Sequence, residues 1–142
     1  MDYELKLSAV EIEAVIRSGL PAAAKSGLKV EEVRPGYARI RLPFSNWMLR
    51  PGNVISGPTL FTAADSAMYA CVMAHIGAQV MALTANLTIN FLNPGRAGDV
   101  VAEAKLLRLG QRMAVMEVAL FTAGDPTLVA HVTGSYALPQ RR

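Results

Sequence analysis

Residues 56–77, SGPTLFTAADSAMYACVMAHIG, decide the fold. Ser56 or Gly57 can cap a helix, and Pro58 suits its first turn, where the missing N–H would have no helical partner. From Thr59 to about His75 the chain is built mostly of Ala, Leu, Met, Thr and Ser, and Gly77 supplies a stop. A helix that is apolar on almost every side is one enclosed by other structure. Ala63, Ala64, Ala67, Ala70 and Ala74 are small enough to let a sheet approach closely. Asp65 stands in the middle of the run, the only formally charged residue between Arg50 and Arg96. That carboxylate, with the Thr and Ser around it, fits a buried helix of a soluble protein better than a membrane span.

Downstream the period changes. Residues 80–92 read as a long strand ended by Asn93-Pro94-Gly95, and residues 100–109 as the next. Gly110-Gln111 makes a tight turn into 112–121, and Ala123-Gly124-Asp125-Pro126 turns again into 127–137. Short connections predict that these four strands form an antiparallel meander. Upstream, Ser8 and Glu11 have the spacing of a capping box for a helix through about Ser18, which Gly19 and Pro21 end. Residues 21–27 are a short second turn or a connection. Residues 28–33 and 37–42 read as strands joined by Arg34-Pro35-Gly36. Residues 43–58 form an irregular loop carrying Trp47, Arg50 and Asn53, and long loops inside compact domains are commonly functional. The pattern predicts an α+β fold in which one antiparallel sheet wraps a long central helix, as a single domain over residues 1–142. No glycine fingerprint follows the first strand, which disfavours a dinucleotide-binding fold.

At 52% hydrophobic and 18% charged, the chain is apolar-rich for a small monomer, which predicts a homodimer or a tetramer assembled from dimers. The net charge is +3, but the basic residues are scattered, Arg141 and Arg142 being the one terminal pair. No nucleic-acid partner is expected from such a distribution. The lone Cys71 excludes an intrachain disulfide and reads as a small buried hydrophobe. Asp2 and Glu4 stand where a signal peptide needs positive charge, so a cytoplasmic setting is expected, with no membrane partner.

Asp is a poor helix former and is seldom enclosed without a reason. Asp65 is therefore either a structural carboxylate bonded to backbone or arginine, or a catalytic base or nucleophile held in a cleft. The helix entrance at Ser56-Gly57 lies two turns earlier, and its free N–H groups could polarise a carbonyl and stabilise an oxyanion. Thr62 and Tyr69 share a helix face with Asp65 and could orient it. His75 suits the negative end of the helix dipole, and His131 lies in a strand pattern. With one cysteine and no spaced His/Cys cluster, no metal is expected, and no nucleophile-elbow motif supports a serine triad.

The stretch SGPTLFTAAD, residues 56–65, followed by TANLTINFLNPGRAGD, residues 84–99, resembles the small hot-dog-fold thioesterases related to phenylacetate-pathway and acyl-CoA thioesterases. Their helix entrance commonly reads His-Gly-Gly, with an acidic residue nine positions after the His. Here Ser56-Gly57-Pro58 takes that place and Asp65 falls at that spacing. The resemblance implies hydrolysis of an acyl-CoA to a carboxylic acid and CoA without a cofactor. It assigns the polarising amide to Gly57, attack or water activation to Asp65 and positioning of the water to Thr84. Ser56, Asn53, Thr62 and Tyr69 would contact substrate, and a Met-, Phe- and Leu-lined tunnel beside the helix would hold the acyl group. Because such sites form between subunits, Asp65 and Thr84 are expected from opposite chains. Ser56 replaces the His, Arg50 an asparagine found in some relatives, and Pro58 replaces a Gly and removes one backbone donor. These departures motivate an alternative, a non-catalytic binder of acyl thioesters or apolar ligands. A hydratase or dehydratase is less favoured, because no catalytic histidine pairs with the acidic residue.

Overall fold

The structure, a computed structural model, describes residues 3–140; Asp2 and the Arg141–Arg142 pair lie outside the described residues. The capping box forms as its spacing predicts. Ser8 Oγ accepts from the Glu11 N–H at 3.2 Å, and Glu11 accepts from the Ser8 N–H at 3.0 Å, opening helix α1 over Ala9–Gly19. Ile12 and Ile16 carry its buried side. The segment read as a turn or connection is a short helix, α2, over Pro21–Ser26, closed by Gly27 at φ 75°. Strands β1, Lys29–Arg34, and β2, Tyr37–Leu42, pair as an antiparallel hairpin with a bulge between Val30 and Glu32. The stretch expected to be irregular holds a 3-10 turn over Asn46–Met48 and a small ribbon of β3, Leu49–Arg50, and β4, Val54–Ile55. Strands of two residues carry no period to read.

Helix α3 spans Gly57–Ile76 with Ser56 as its N-cap. It is followed by β5, Leu83–Phe91, β6, Val100–Leu109, β7, Met113–Thr122, and β8, Ala130–Ala137. These strands join the first two in one antiparallel sheet of order β1-β2-β6-β7-β8-β5. The meander expectation is thus corrected: β6, β7 and β8 follow one another, but β5 does not lie beside β6. The flank of β6 is occupied by β2, in register from Tyr37 opposite Lys105 to Leu42 opposite Val100, so β5 takes the open edge of β8.

The sheet curls around α3, which packs against β1, β2, β5, β6, β7 and β8. The five alanines are fully buried, and β8 comes close to the helix at Gly134. A Cβ there would lie 2.6 Å from Met68 Cε and 2.8 Å from the Asn86 carbonyl oxygen, so only glycine lets β8 come this near. At the far end His75 pins the helix to the β1–β2 turn. The Gly36 N–H donates to His75 Nε2 at 2.8 Å, so the ring proton sits on Nδ1, which donates to the Cys71 carbonyl at 2.7 Å. The ring is therefore neutral, and burial holds its pKa below the ordinary histidine value against the raising effect of that carbonyl. Burial likewise pushes the Cys71 thiol up to about 12, consistent with a packing role. No described helix is long and apolar enough to cross a membrane.

Candidate active site

Asp65 is half-buried where α3 meets the β5–β8 edge of the sheet. Thr84 and Tyr136 stand directly opposite each other on β5 and β8. Both turn toward the helix: Thr84 Oγ1 donates to Asp65 Oδ1 at 2.6 Å, and the Tyr136 hydroxyl donates to the same oxygen at 2.7 Å. The Tyr136 hydroxyl also lies 3.1 Å from the Asp65 carbonyl oxygen. The other carboxylate oxygen, Oδ2, has no hydrogen-bond partner among the described residues. Just past Thr84 the β5–β8 register shifts before Asn86, a bulge of the kind that re-aims side chains beside functional sites. Burial, and next the charge of Asp65, push the Tyr136 pKa far up, so its proton stays available as a donor.

Thr84 and Asp65 meet within one chain. The expectation that they come from opposite chains is corrected, because β5 pairs with β8 of its own chain and so lies beside its own helix. Tyr136 is the member of this cluster that the sequence alone does not single out. Its signal was the alternation of Ala130, Val132, Gly134 and Tyr136, all buried and facing α3, where an enclosed tyrosine must find a partner for its hydroxyl. Tyr69 does not touch the carboxylate. Its ring stacks on Tyr136 at 6.0 Å between centroids, and its hydroxyl donates to the Val80 carbonyl at 3.2 Å.

The remaining residues lie elsewhere. Ser56 Oγ accepts from the Thr59 N–H at 3.3 Å and shares a 2.8 Å hydrogen bond with the Thr59 hydroxyl, so it is occupied in capping α3. The Gly57 N–H has no partner among the described residues and points from the positive end of a 20-residue helix. Gly57 packs against Phe91, whose ring would lie 3.2 Å from an added Cβ. Eight residues of helix at 1.5 Å each put about 12 Å between Gly57 and Asp65 along α3. Thr62 is exposed on the wall of a large apolar cavity. Asn53, at φ 58°, lines a separate polar cleft with Arg96 and Asp125. Among the described residues no three of His, Cys, Asp and Glu gather as a metal ion would require.

Comparison with known proteins identifies the family and the fold. Residues 52–129, more than half of the chain, match the family model of the thioesterase superfamily. The chain is 30% identical over 110 residues to the acyl-coenzyme A thioesterase PaaI of Escherichia coli K12, covering 75% of this chain and 76% of that protein. It is 28% identical over 112 residues to a candidate esterase of Saccharolobus solfataricus, covering 79% and 73% of the two. A solved structure of a candidate thioesterase from Silicibacter sp. TM1040 has a TM-score of 0.89 and 30% identity, over 98% of this chain and 96% of that one. A match of this extent in sequence, carried almost end to end in structure, makes the chain a member of the thioesterase superfamily with the hot-dog fold.

Proposed function

We propose that this chain hydrolyses an acyl-CoA thioester to a free carboxylic acid and CoA, without a cofactor. In this reading it works as a single-domain subunit of a cytoplasmic homodimer or of a tetramer assembled from dimers, with no nucleic-acid or membrane partner. The observation that carries the reading is the half-tethered carboxylate of Asp65, with Oδ1 fixed by two hydroxyls and Oδ2 free. Oδ2 is the base. The Thr84 O–H is engaged as a donor to Oδ1, so the lone pairs on its oxygen accept from the same water, which is thereby held by two groups. The water oxygen adds to the thioester carbonyl as Asp65 takes a proton, and the carbonyl oxygen becomes an oxyanion. The C–S bond then breaks and the proton passes to the departing thiolate.

The oxyanion needs a donor within about 3 Å, and Gly57 supplies the free amide for it. The 12 Å spacing within one helix is too long for one carbonyl to meet Gly57 and Asp65 of the same chain. The site is therefore completed by Gly57 of a second copy. Asp65→Asn tests the central role, since it preserves shape and removes the base. Single-turnover cleavage, normalised to folded protein, should fall by at least about 100-fold, or roughly 2.7 kcal/mol of transition-state stabilisation. Cleavage near the wild-type rate would remove Asp65 from the chemistry.

A further inference from the structure

One turn past Asp65 on α3, and on the same side of the helix, stands Tyr69. Its two contacts lead to the two hydroxyls that hold Asp65. The ring stacks on that of Tyr136, with centroids 6.0 Å apart and planes 16° from parallel. The hydroxyl donates to the Val80 carbonyl at 3.2 Å. Val80 lies in the connection from α3 to β5, shortly before Thr84. That connection has little else to hold it. The Ala82 N–H donates to the Gln79 carbonyl at 3.0 Å, closing a tight turn whose central side chains, Val80 and Met81, are more than half exposed. Among the described residues, Tyr69 makes the one side-chain hydrogen bond to this turn. Thr84 depends on the turn, because β5 starts at Leu83 and the register shifts directly after Thr84, so little of the ladder precedes the bulge. Burial raises the Tyr69 pKa, so its phenol keeps the proton that the bond to Val80 needs.

We infer that Tyr69 is a positioning residue that braces both donors of Asp65, Tyr136 through its ring and Thr84 through the turn at Val80. The inference rests on the thioesterase reading above and adds a residue to its machinery, with a task other than contact with substrate. Two donors fix one oxygen only while each is itself fixed. A phenol ring free to tilt, or a strand end free to fray, would let Oδ1 shift and carry Oδ2 with it. Small displacements of a reacting group cost rate even when every group is present.

Two substitutions separate the arms. Tyr69→Phe keeps the ring and loses the bond to Val80, whereas Tyr69→Leu loses both. Per folded protein, Tyr69→Phe should lower kcat about threefold and Tyr69→Leu about tenfold, with KM held within about twofold, the scale of one neutral hydrogen bond and one aromatic pair. The Tyr69→Phe loss should vanish in a Thr84→Ala background. The further loss in Tyr69→Leu should vanish in a Tyr136→Phe background, because each arm then braces a donor that is gone. A Tyr69 that only supports the fold would lower urea midpoints and leave kcat per folded molecule unchanged. One that touches substrate would raise KM in every background. Either result, or losses that add fully in both backgrounds, overturns the brace.

Should Tyr69→Leu fail to fold, Tyr69→Phe with Thr84→Ala still decides the arm through the turn. A readout free of turnover keeps the brace and the hydrolase reading apart. With tyrosine labelled at Cζ, NMR in mixed H2O and D2O follows exchange of the Tyr136 hydroxyl, whose signal is assigned by its loss in Tyr136→Phe. In Tyr69→Leu that hydroxyl should exchange at least about tenfold faster. Faster exchange in a protein that releases no thiol from any acyl-CoA would keep the brace and overturn the hydrolase reading. Thiol release with kcat and exchange both unchanged in Tyr69→Leu would keep the hydrolase reading and overturn the brace.

Discussion

An oxygen that accepts two hydroxyl protons, at 2.6 and 2.7 Å, has lost its freedom to turn, and the orientation of Oδ2 is fixed with it. Tyr136 is the stiffer of the two donors, because it is buried, stacked on Tyr69 and raised in pKa by its surroundings. Removing its hydroxyl takes away a hydrogen bond to a charged group, commonly about 1.5–3 kcal/mol. Tyr136→Phe should therefore lower kcat/KM by about 10- to 100-fold while the protein stays folded. With Thr84→Ala the loss should be less than additive, since both residues act on one oxygen. A kcat/KM within twofold of wild type for Tyr136→Phe would show that Thr84 alone positions the carboxylate. Asp65 was legible in the sequence because a single charge in an apolar helical run demands a reason. Thr84 became legible through the resemblance. Tyr136 was hidden by its company: in an alternating strand a tyrosine reads as core until its hydroxyl is asked where it goes.

At the scale of elements, α3 declared itself through small apolar residues bounded by Pro58 and Gly77, and the Ser8–Glu11 box marked α1. What stayed illegible was β5, since strand order depends on which sheet edge is free, a long-range fact that local turn chemistry does not carry. His75 shows the same limit. Its position at the helix end suited a cation on the dipole, yet its two partners require the neutral ring. The consequence is a pH dependence whose sign follows from linkage. Burial lowers the folded-state pKa below the unfolded value of about 6.5, so between the two the unfolded chain binds more protons and stability rises with pH. The contribution is complete above about pH 6.5 and is lost as pH falls toward the folded pKa. Urea midpoints should climb as pH rises toward about 6.5 and then flatten. His75→Gln, which keeps one donor and one acceptor but does not titrate, should lose that slope, and the difference between the two proteins cancels the other titrating groups. Parallel pH profiles for the two would mean that His75 does not gate the α3 contact with the β1–β2 turn.

The whole molecule leaves a surface that one copy does not cover. Phe61 on α3 and Leu83 and Phe91 on β5 are 42%, 55% and 57% exposed, beside the free edge of β5 and close to the unpartnered Gly57 amide. Apolar side chains gathered at a strand edge that no other described strand pairs with would suit the second copy proposed above, in keeping with the apolar-rich composition. If a second copy brings its Gly57 to this Asp65, each complete site takes one residue from each chain. Gly57→Pro removes the amide and suits the backbone, because Ser56 at φ −70° and ψ 151° already has the extended form favoured before proline, and proline is welcome at the first helical position. The Phe91 ring, 3.2 Å from the added Cβ and half in solvent, can yield by a few tenths of an ångström. Gly57→Pro and Asp65→Asn homo-oligomers should each be at least about 100-fold slowed, the usual scale for losing an oxyanion donor or a catalytic base. Co-expressed, a dimer with one chain of each kind has one site carrying both lesions and one site carrying neither. Activity should then return to as much as half of wild type per mixed dimer, measured as thiol release from purified, differentially tagged pairs. Mixed dimers as inactive as their parents would place Gly57 and Asp65 in separate tasks and end the shared-site mechanism. A protein that light scattering finds monomeric and fully active would do the same.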